Sequence, residues 1–247
     1  MSDLRIEREK EYHNVAFSEG IRKSADKYYT IHTISFQQLY KKLRLYGEGK
    51  DVLEYGCGPA SHSFLLAQYA KTVMSIDISD FAINTSKQLA EKEQIKNLQF
   101  SVMNAEQLSF EANSFDMIFG NAIIHHLDLE KSFSEINRVL RPGGKAFFYE
   151  PLGHNFFINL YRRLTPRMRT VDEHPLKAND IEFIKKYFKD TEVHYYHLTT
   201  LLAIPMRNMK SYNRIIRFFH HIDAFLFKAL PFCKRYAWYC IIDITKK

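Results

Sequence analysis

Val52-Leu53-Glu54-Tyr55-Gly56-Cys57-Gly58-Pro59 sets two glycines one residue apart directly after an apolar step, and Asp77 closes the next apolar segment, Val73-Met74-Ser75-Ile76. Glycine has no Cβ and tolerates positive φ, so a strand ending in such a turn lets its backbone approach a ligand closely. The amides at the start of the following helix then face that ligand. An acidic side chain about 20 residues further on stands at the tip of the second strand, where its oxygens can accept both hydroxyls of a ribose. The stretch therefore predicts a nucleotide-type cofactor site at the edge of a parallel sheet.

Two details separate it from a dinucleotide fingerprint. Ser61 occupies the position of the third glycine, which would bring helix and pyrophosphate together. Glu54, two residues before Gly56, would repel a pyrophosphate but suits a cationic ligand or one with an amino group. Further along come Asn104-Ala105-Glu106-Gln107-Leu108, then Ser114-Phe115-Asp116-Met117-Ile118-Phe119-Gly120-Asn121 leading into Ile123-Ile124-His125-His126-Leu127. Arg138-Val139-Leu140-Arg141-Pro142-Gly143-Gly144 reads as a turn into a strand over 145–150.

Taken in this order, these stretches resemble the class I S-adenosylmethionine-dependent methyltransferases, of the type 11-like, small-molecule kind, whose first motif reads acid-x-Gly-x-Gly. The resemblance covers residues 45–150. It implies S-adenosyl-L-methionine as cofactor, with Glu54, Gly56, Cys57 and Gly58 at its methionine portion and the adjoining sugar. Asp77 is implied at the ribose hydroxyls, Ile78 at the adenine face, Asn104 and Ala105 at the adenine edge, and Asn121 on the methyl-transfer side. Asn104 departs from the family's usual Asp; its amide oxygen accepts the exocyclic amine proton more weakly than a carboxylate would.

Apolar segments near 51–55, 73–77, 98–103, 115–120 and 145–150 alternate with helical patterns over 63–70, 81–94 and 129–140, which predicts an α/β fold with a parallel sheet covered on both faces. A helix over 179–188, a strand over 191–202 and a last strand over 238–245 complete the pattern. The resemblance makes this a Rossmann-like, doubly wound, seven-stranded sheet with an antiparallel last strand, an N-terminal helical cover and helical insertions near the C-terminus. We expect one domain over 1–247, with a cover over 1–46, a cofactor-binding core over 47–150, and substrate-side insertions and closing strands over 151–247.

The chain has 247 residues, 46% of them hydrophobic, enough for one large core. The charged start and the lack of a long apolar run predict neither a signal peptide nor a spanning helix, and the expected location is the cytoplasm. Cys57, Cys233 and Cys240 form no Cys-x-x-Cys pair, so neither a disulfide framework nor a zinc site is indicated. A net charge of +7 raises the question of an anionic partner, but the basic residues are spread along the chain. Gly120-Asn121-Ala122-Ile123 lacks the Asn/Asp-Pro-Pro-aromatic motif usual in methyltransferases that act on exocyclic amines of DNA bases, which makes a nucleic-acid acceptor a minority reading, with RNA methyl transfer as the lesser alternative.

Two stretches exceed the common core, and the substrate should be read there. The first, 151–177, carries His154, the basic residues ending at Arg169, and Asp172-Glu173-His174 just after the fifth strand. Histidine's unperturbed pKa suits proton abstraction near neutral pH, so His125, His154 and His174 are the candidate bases, with surface or structural histidines as the plain alternative. Consecutive residues such as 172–174 do not converge on one ion, so no metal is expected. The second stretch, 212–236, repeats Ile215, Phe218, Phe219, Ile222, Phe225, Leu226 and Leu230 at helical spacing. It suits a packed lid helix, an apolar acceptor pocket, a membrane-surface helix flanked by basic residues, or a dimer contact. The expected reaction is methyl transfer to an O, N, S or C nucleophile of a small, apolar or lipid-like molecule. The alternatives are a nicotinamide-dependent oxidoreductase, whose Tyr-x-x-x-Lys pair occurs only as Tyr46 and Lys50, and a non-catalytic cofactor-binding module.

Overall fold

A computed structural model of the chain describes residues 2–21, 26–60 and 62–247. Ser61, the residue at the third-glycine position, lies outside the described residues. Three helices come first, α1 (Ser2–Glu19), α2 (Asp26–Tyr29) and α3 (Thr33–Gly47). The core follows as β1 (Asp51–Tyr55), α4 (Ser63–Leu66), β2 (Thr72–Asp77), α5 (Asp80–Lys92), β3 (Leu98–Val102), β4 (Phe115–Asn121), α6 (Leu129–Val139) and β5 (Leu140–Pro151). The remainder is α7 (Phe156–Leu164), α8 (Ala178–Tyr187), β6 (Asp190–Tyr196), α9 (Tyr212–Ala229) and β7 (Tyr239–Thr245).

The seven strands form one sheet in the order β3-β2-β1-β4-β5-β7-β6. The first five are parallel, and β7 runs antiparallel to both of its neighbours, β5 and β6. Strands covered on both faces must be apolar on both faces, and Val52, Leu53 and Tyr55 of β1 and Ala146, Phe147, Phe148 and Tyr149 of β5 are all buried. One face packs under α6 and α8 through Phe133, Ile136, Ile181 and Ile184. The other packs under α3 and α5 through Leu39, Leu43, Ile83 and Ala90.

Helix starts follow local chemistry. Ser79, Asp128 and Asn155 accept hydrogen bonds from the backbone N–H groups of Ala82, Lys131 and Ile158, opening α5, α6 and α7. Two boundaries differ from the sequence reading. The helix expected over 63–70 is a single turn, α4, so the cofactor-side amides come from the glycine loop rather than from a helix terminus. The strand expected over 191–202 ends at Tyr196, because His197 takes φ +67° and turns the chain out of the sheet. The residues beyond it form a 3-10 stretch, Thr199–Met206, whose first amides and hydroxyls are held by the buried carboxylate of Asp223 on α9.

Candidate active site

Strand order reverses between β1 and β4, the point where open α/β sheets bind ligands at the carboxyl ends of their strands. A cavity of about 580 Å³ opens there, within the size range of small-molecule sites. Gly56 and Gly58 both take left-handed φ, +76° and +50°. A Cβ on Gly56 would stand 2.6 Å from Cγ1 of Ile123, and one on Gly58 would stand 3.3 Å from the Phe17 ring. The turn is therefore tight because the β4 loop and α1 close over it.

Asp77 lies at the cavity wall with Oδ1 accepting from Ser79 N–H (2.9 Å) and Oδ2 from Gly58 N–H (2.7 Å). Burial raises its pKa, opposed by those two amides. A carboxylate offers about four lone-pair sites, so two remain for a diol. Asn104 Oδ1 accepts from Glu106 N–H at 2.9 Å in a local turn and keeps one lone pair. Gly56, Cys57, Gly58, Ile78, Asn104, Ala105 and Asn121 all line the cavity beside Asp77. These residues fit an adenosine-bearing cofactor: a carboxylate with spare acceptors, a wall of apolar side chains and a strand-end turn without Cβ atoms.

Glu54 is placed differently. It is fully buried and does not line the cavity, and Oε2 accepts from Ser75 (3.0 Å) and from Ser63. Burial pushes its pKa up to about 7, against the two serine hydroxyls. In the described geometry it braces β1 against β2 and α4 behind the glycine turn.

The half of the cavity away from Asp77 is aromatic, walled by Tyr29, His32, Phe36, Tyr40, Tyr149 and Tyr239. Tyr149 hydroxyl meets Ser35 Oγ (2.8 Å), His32 Nδ1 (3.0 Å) and His197 Nε2 (3.1 Å), while His32 Nε2 has no hydrogen-bond partner. Burial lowers the His32 pKa to about 3, so its ring is neutral. Asn121 Nδ2 donates to His62 Nε2 (3.1 Å), and His62 Nδ1 faces Tyr40 hydroxyl (3.2 Å).

Helix α1 roofs the cavity. Arg5 pairs with Glu106 and donates to His126 C=O (2.6 Å), and Asn14 Oδ1 accepts from Ser79 Oγ (2.6 Å). Glu9 and His13, one turn apart on this helix, face the cavity with His126, whose Nδ1 is 3.1 Å from Glu9 Oε2. Burial works to raise the Glu9 pKa, but His126 and His13 hold it well below the ordinary carboxylate range. Burial and the neighbouring His125 lower His126 to about 4. Ligand-type atoms of Glu9, His13 and His126 lie within 4.8 Å of one another, as do those of His125, His126 and Glu173, so Glu173 of the 172–174 run joins a group completed by residues from elsewhere in the chain.

The three histidines singled out from the sequence do not gather at the main cavity. His125 sits behind it against a second, small cavity, with Nδ1 2.8 Å from Glu150 Oε2 and Nε2 4.0 Å from Glu173 Oε1. Glu150, which the sequence reading passed over, also accepts from Ile123 and Ile124 N–H, both at 2.9 Å, and so fixes the β4 loop; burial pushes its pKa up to about 7. His154 and His174 line neither cavity. The insertion leaves and rejoins the sheet through the Leu152–Leu176 bridge, and His174 N–H donates to His125 C=O (2.9 Å). His154 Nε2 accepts from Ala178 N–H (3.2 Å) at the start of α8, and His174 is exposed.

Of the four readings of 212–236, the acceptor pocket gains no support, since α9 does not line the main cavity; the helix buries Ile216, Asp223 and Phe227 and packs Ile215 and Phe219 on the core, while Phe218 and Phe225 are 63% and 69% exposed. Asp223 is the cause, because its bonds to Leu198, Thr199 and Thr200 fix the rotation of the helix. Tyr46, of the misplaced Tyr-Lys pair, lies under Lys145 at the opposite end of β5.

The methyltransferase-domain family matches residues 53–148. A ubiquinone biosynthesis O-methyltransferase of Coxiella burnetii is 31% identical over 139 residues, 56% of this chain and 58% of that protein. A sterol 24-C-methyltransferase of Pneumocystis carinii is 35% identical over 106 residues, 42% of this chain and 28% of that protein. The chain thus spans little more than half the length of the first of these curated relatives and less of the second. Among solved structures, phosphoethanolamine N-methyltransferase 2 of Haemonchus contortus in complex with S-adenosyl-L-methionine superposes with a TM-score of 0.64 at 20% identity, over 93% of this chain and 60% of that one.

Proposed function

We propose that this chain, whose residues 53–148 are a class I methyltransferase domain, transfers the methyl group of S-adenosyl-L-methionine to a nucleophile of a small, largely apolar acceptor. The observation that carries the reading is the single cavity running from Asp77 and the glycine turn to the aromatic wall of Tyr29, Phe36 and Tyr149. One ligand at each end would meet in it, and holding two reactants in line is most of what methyl transfer requires. Asp77 takes the ribose hydroxyls, Ile78 the adenine face, Asn104 and Ala105 the adenine edge, and the Gly56-Cys57-Gly58 backbone and Asn121 the methionine side. Glu54 acts behind the turn by fixing its position.

When bound, the cofactor supplies a methyl group on a sulfonium; the acceptor's lone pair forms the new bond to that carbon, and the C–S pair returns to sulfur. His126 takes the proton that the acceptor loses. It faces the cavity, and the anionic carboxylate of Glu9 at 3.1 Å stabilises its imidazolium. His125, with a carboxylate near each ring nitrogen, orients the loop instead.

The lipid contact first read at 212–236 is better supported on α7. Phe156, Phe157 and Leu164 are 72%, 72% and 73% exposed along one side of this helix. Arg163 and Arg167 flank them, and no acidic residue occurs over 151–171. An apolar stripe bordered only by cations suits the surface of an anionic bilayer. Among the described residues no helix is long and apolar enough to cross a membrane. Incubation with methyl-labelled cofactor and fractionated small-molecule and lipid extracts tests the reading. Label should move into an apolar fraction; a folded protein that binds the cofactor but labels nothing in any fraction would speak for a binding module instead.

A further inference from the structure

Behind the aromatic wall lies a second cavity of about 80 Å³, which shares Tyr29, Ala122 and Tyr239 with the first. That is about a seventh of the main cavity, so it accommodates a small polar group rather than a whole acceptor. Arg162 and Arg169 line it together with Glu173 and Tyr161.

The two arginines are not in the same electrical position. Arg169 has Glu173 Oε1 3.7 Å from its Nε, and its Nη1 donates to Thr165 O (2.9 Å). Arg162 donates from Nη1 to two neutral oxygens, Leu152 C=O (3.1 Å) and Asn159 Oδ1 (3.0 Å). Among the described residues Arg162 has no carboxylate within 4 Å, although the charge of Glu173 in the same cavity acts on it from further away. It is partly buried, and burial lowers its pKa. A guanidinium withdrawn from water and hydrogen-bonded only to neutral oxygens is costly even with a carboxylate further off, and its planar donor fork matches a carboxylate or a phosphate. The same helix that exposes Phe156 and Phe157 outward thus turns a cation inward, toward the rear of the cavity in which we place the acceptor.

We propose that the small cavity is an oxyanion subsite for the methyl acceptor, in which a carboxylate or phosphate group of that molecule docks on Arg162. The proposal rests on the methyl-transfer reading for the identity of the acceptor, though not for the binding itself. Because Tyr29 and Tyr239 border both cavities, a molecule anchored here extends past them into the aromatic chamber. The acceptor is then an amphiphile or aromatic compound with an acidic group.

Benzoate, phenyl phosphate and benzyl alcohol are suitable probes, titrated by ligand-observed NMR into the wild-type protein and into Arg162→Gln and Arg162→Lys, with and without S-adenosylhomocysteine. The wild type should bind at least one oxyanion about tenfold or more tightly than benzyl alcohol, and the preferred oxyanion tells carboxylate from phosphate. Arg162→Gln should lose that preference while its affinity for S-adenosylhomocysteine is unchanged, and Arg162→Lys should keep part of it. Equal binding of benzyl alcohol and both oxyanions by the wild type would overturn the proposal whether or not the variants fold. So would an undiminished preference in folded Arg162→Gln. A failure of the methyl-transfer reading shows separately, as absence of S-adenosylhomocysteine binding alongside intact oxyanion binding.

Discussion

Replacing Glu54 with Gln should make the cofactor-free protein more stable at pH 8 and change how its stability depends on pH. Burial, more than the neighbouring charge of Asp77, raises the Glu54 pKa from 4.5 to about 7, and the Ser63 and Ser75 hydroxyls only partly oppose it. A group whose folded value is raised contributes stability that is complete below the unfolded pKa and is lost as pH rises through the folded one. For Glu54 the loss falls between pH 4.5 and about 7. At about 1.4 kcal/mol per unit it amounts to roughly 3 kcal/mol. Glutamine carries no charge to desolvate, and its oxygen can still accept from Ser75. Its amide nitrogen would replace Oε1, which has no partner, at a cost of about 1 kcal/mol. The net gain at pH 8 is about 2 kcal/mol, or roughly 4–8 °C in Tm for a chain of this size. At pH 5 the variant should be no more stable than the wild type. Glu150 is also raised to about 7 and contributes with the same sign, while buried His32, His62 and His126, lowered to about 3, 4 and 4, contribute with the opposite sign below about pH 6.5, so the effect is read as the difference between variant and wild type at each pH. Circular-dichroism melts of both proteins from pH 5 to 8.5 measure this. An unchanged slope, or a variant less stable than the wild type at pH 8, would refute the reasoning. Because Glu54 does not line the cavity, affinity for S-adenosylhomocysteine should stay within about threefold.

His126→Ala should lower the methyl-transfer rate about 10²–10⁴-fold, whereas His154→Ala and His174→Ala, away from both cavities, should turn over near the wild-type rate. With its pKa at about 4, His126 is neutral above pH 6, so the rate should show no histidine-like inflection between pH 6 and 9. Dialysis against a chelator should leave rate and Tm unchanged; a loss reversed by added metal would reassign Glu9, His13 and His126 as ligands. Phe156→Glu combined with Phe157→Glu should abolish co-sedimentation with anionic vesicles without lowering Tm, since both side chains are exposed; retained pelleting would remove α7 from the account.

The parts of the molecule fixed by local backbone demands were legible in the sequence. A turn that needs positive φ must use glycine or accept strain, so Gly56 and Gly58 announced themselves, and strands buried on both faces read as apolar runs at β1, β2 and β4. Residues brought to the cavity by tertiary packing were not legible. Glu9 and His13 sit on a charged helix without a motif, and only their i, i+4 spacing hinted at a shared face. His32 and Glu150 had no pattern at all, because what singles them out is burial and the partners waiting in space. On α9, apolar periodicity marked one wide face without saying which part packs; Ile215 and Phe219 lie on the core while Phe218 and Phe225 are exposed, and the hydrogen bonds of one buried carboxylate, Asp223, decided that rotation. His154 and His174 were placed by chain proximity to the fifth strand, which says nothing about which way an insertion folds back.

Calorimetric titration of the wild type and Asp77→Ala with S-adenosylhomocysteine, with NADH as control, tests the central claim most directly. Each charge-assisted bond from the Asp77 carboxylate to a ribose hydroxyl is worth roughly 1.5–3 kcal/mol. The account predicts that the wild type binds S-adenosylhomocysteine and not NADH, and that Asp77→Ala, still folded, binds it at least about tenfold more weakly. Wild-type binding of NADH alone, or an unchanged affinity for S-adenosylhomocysteine in folded Asp77→Ala, would contradict it.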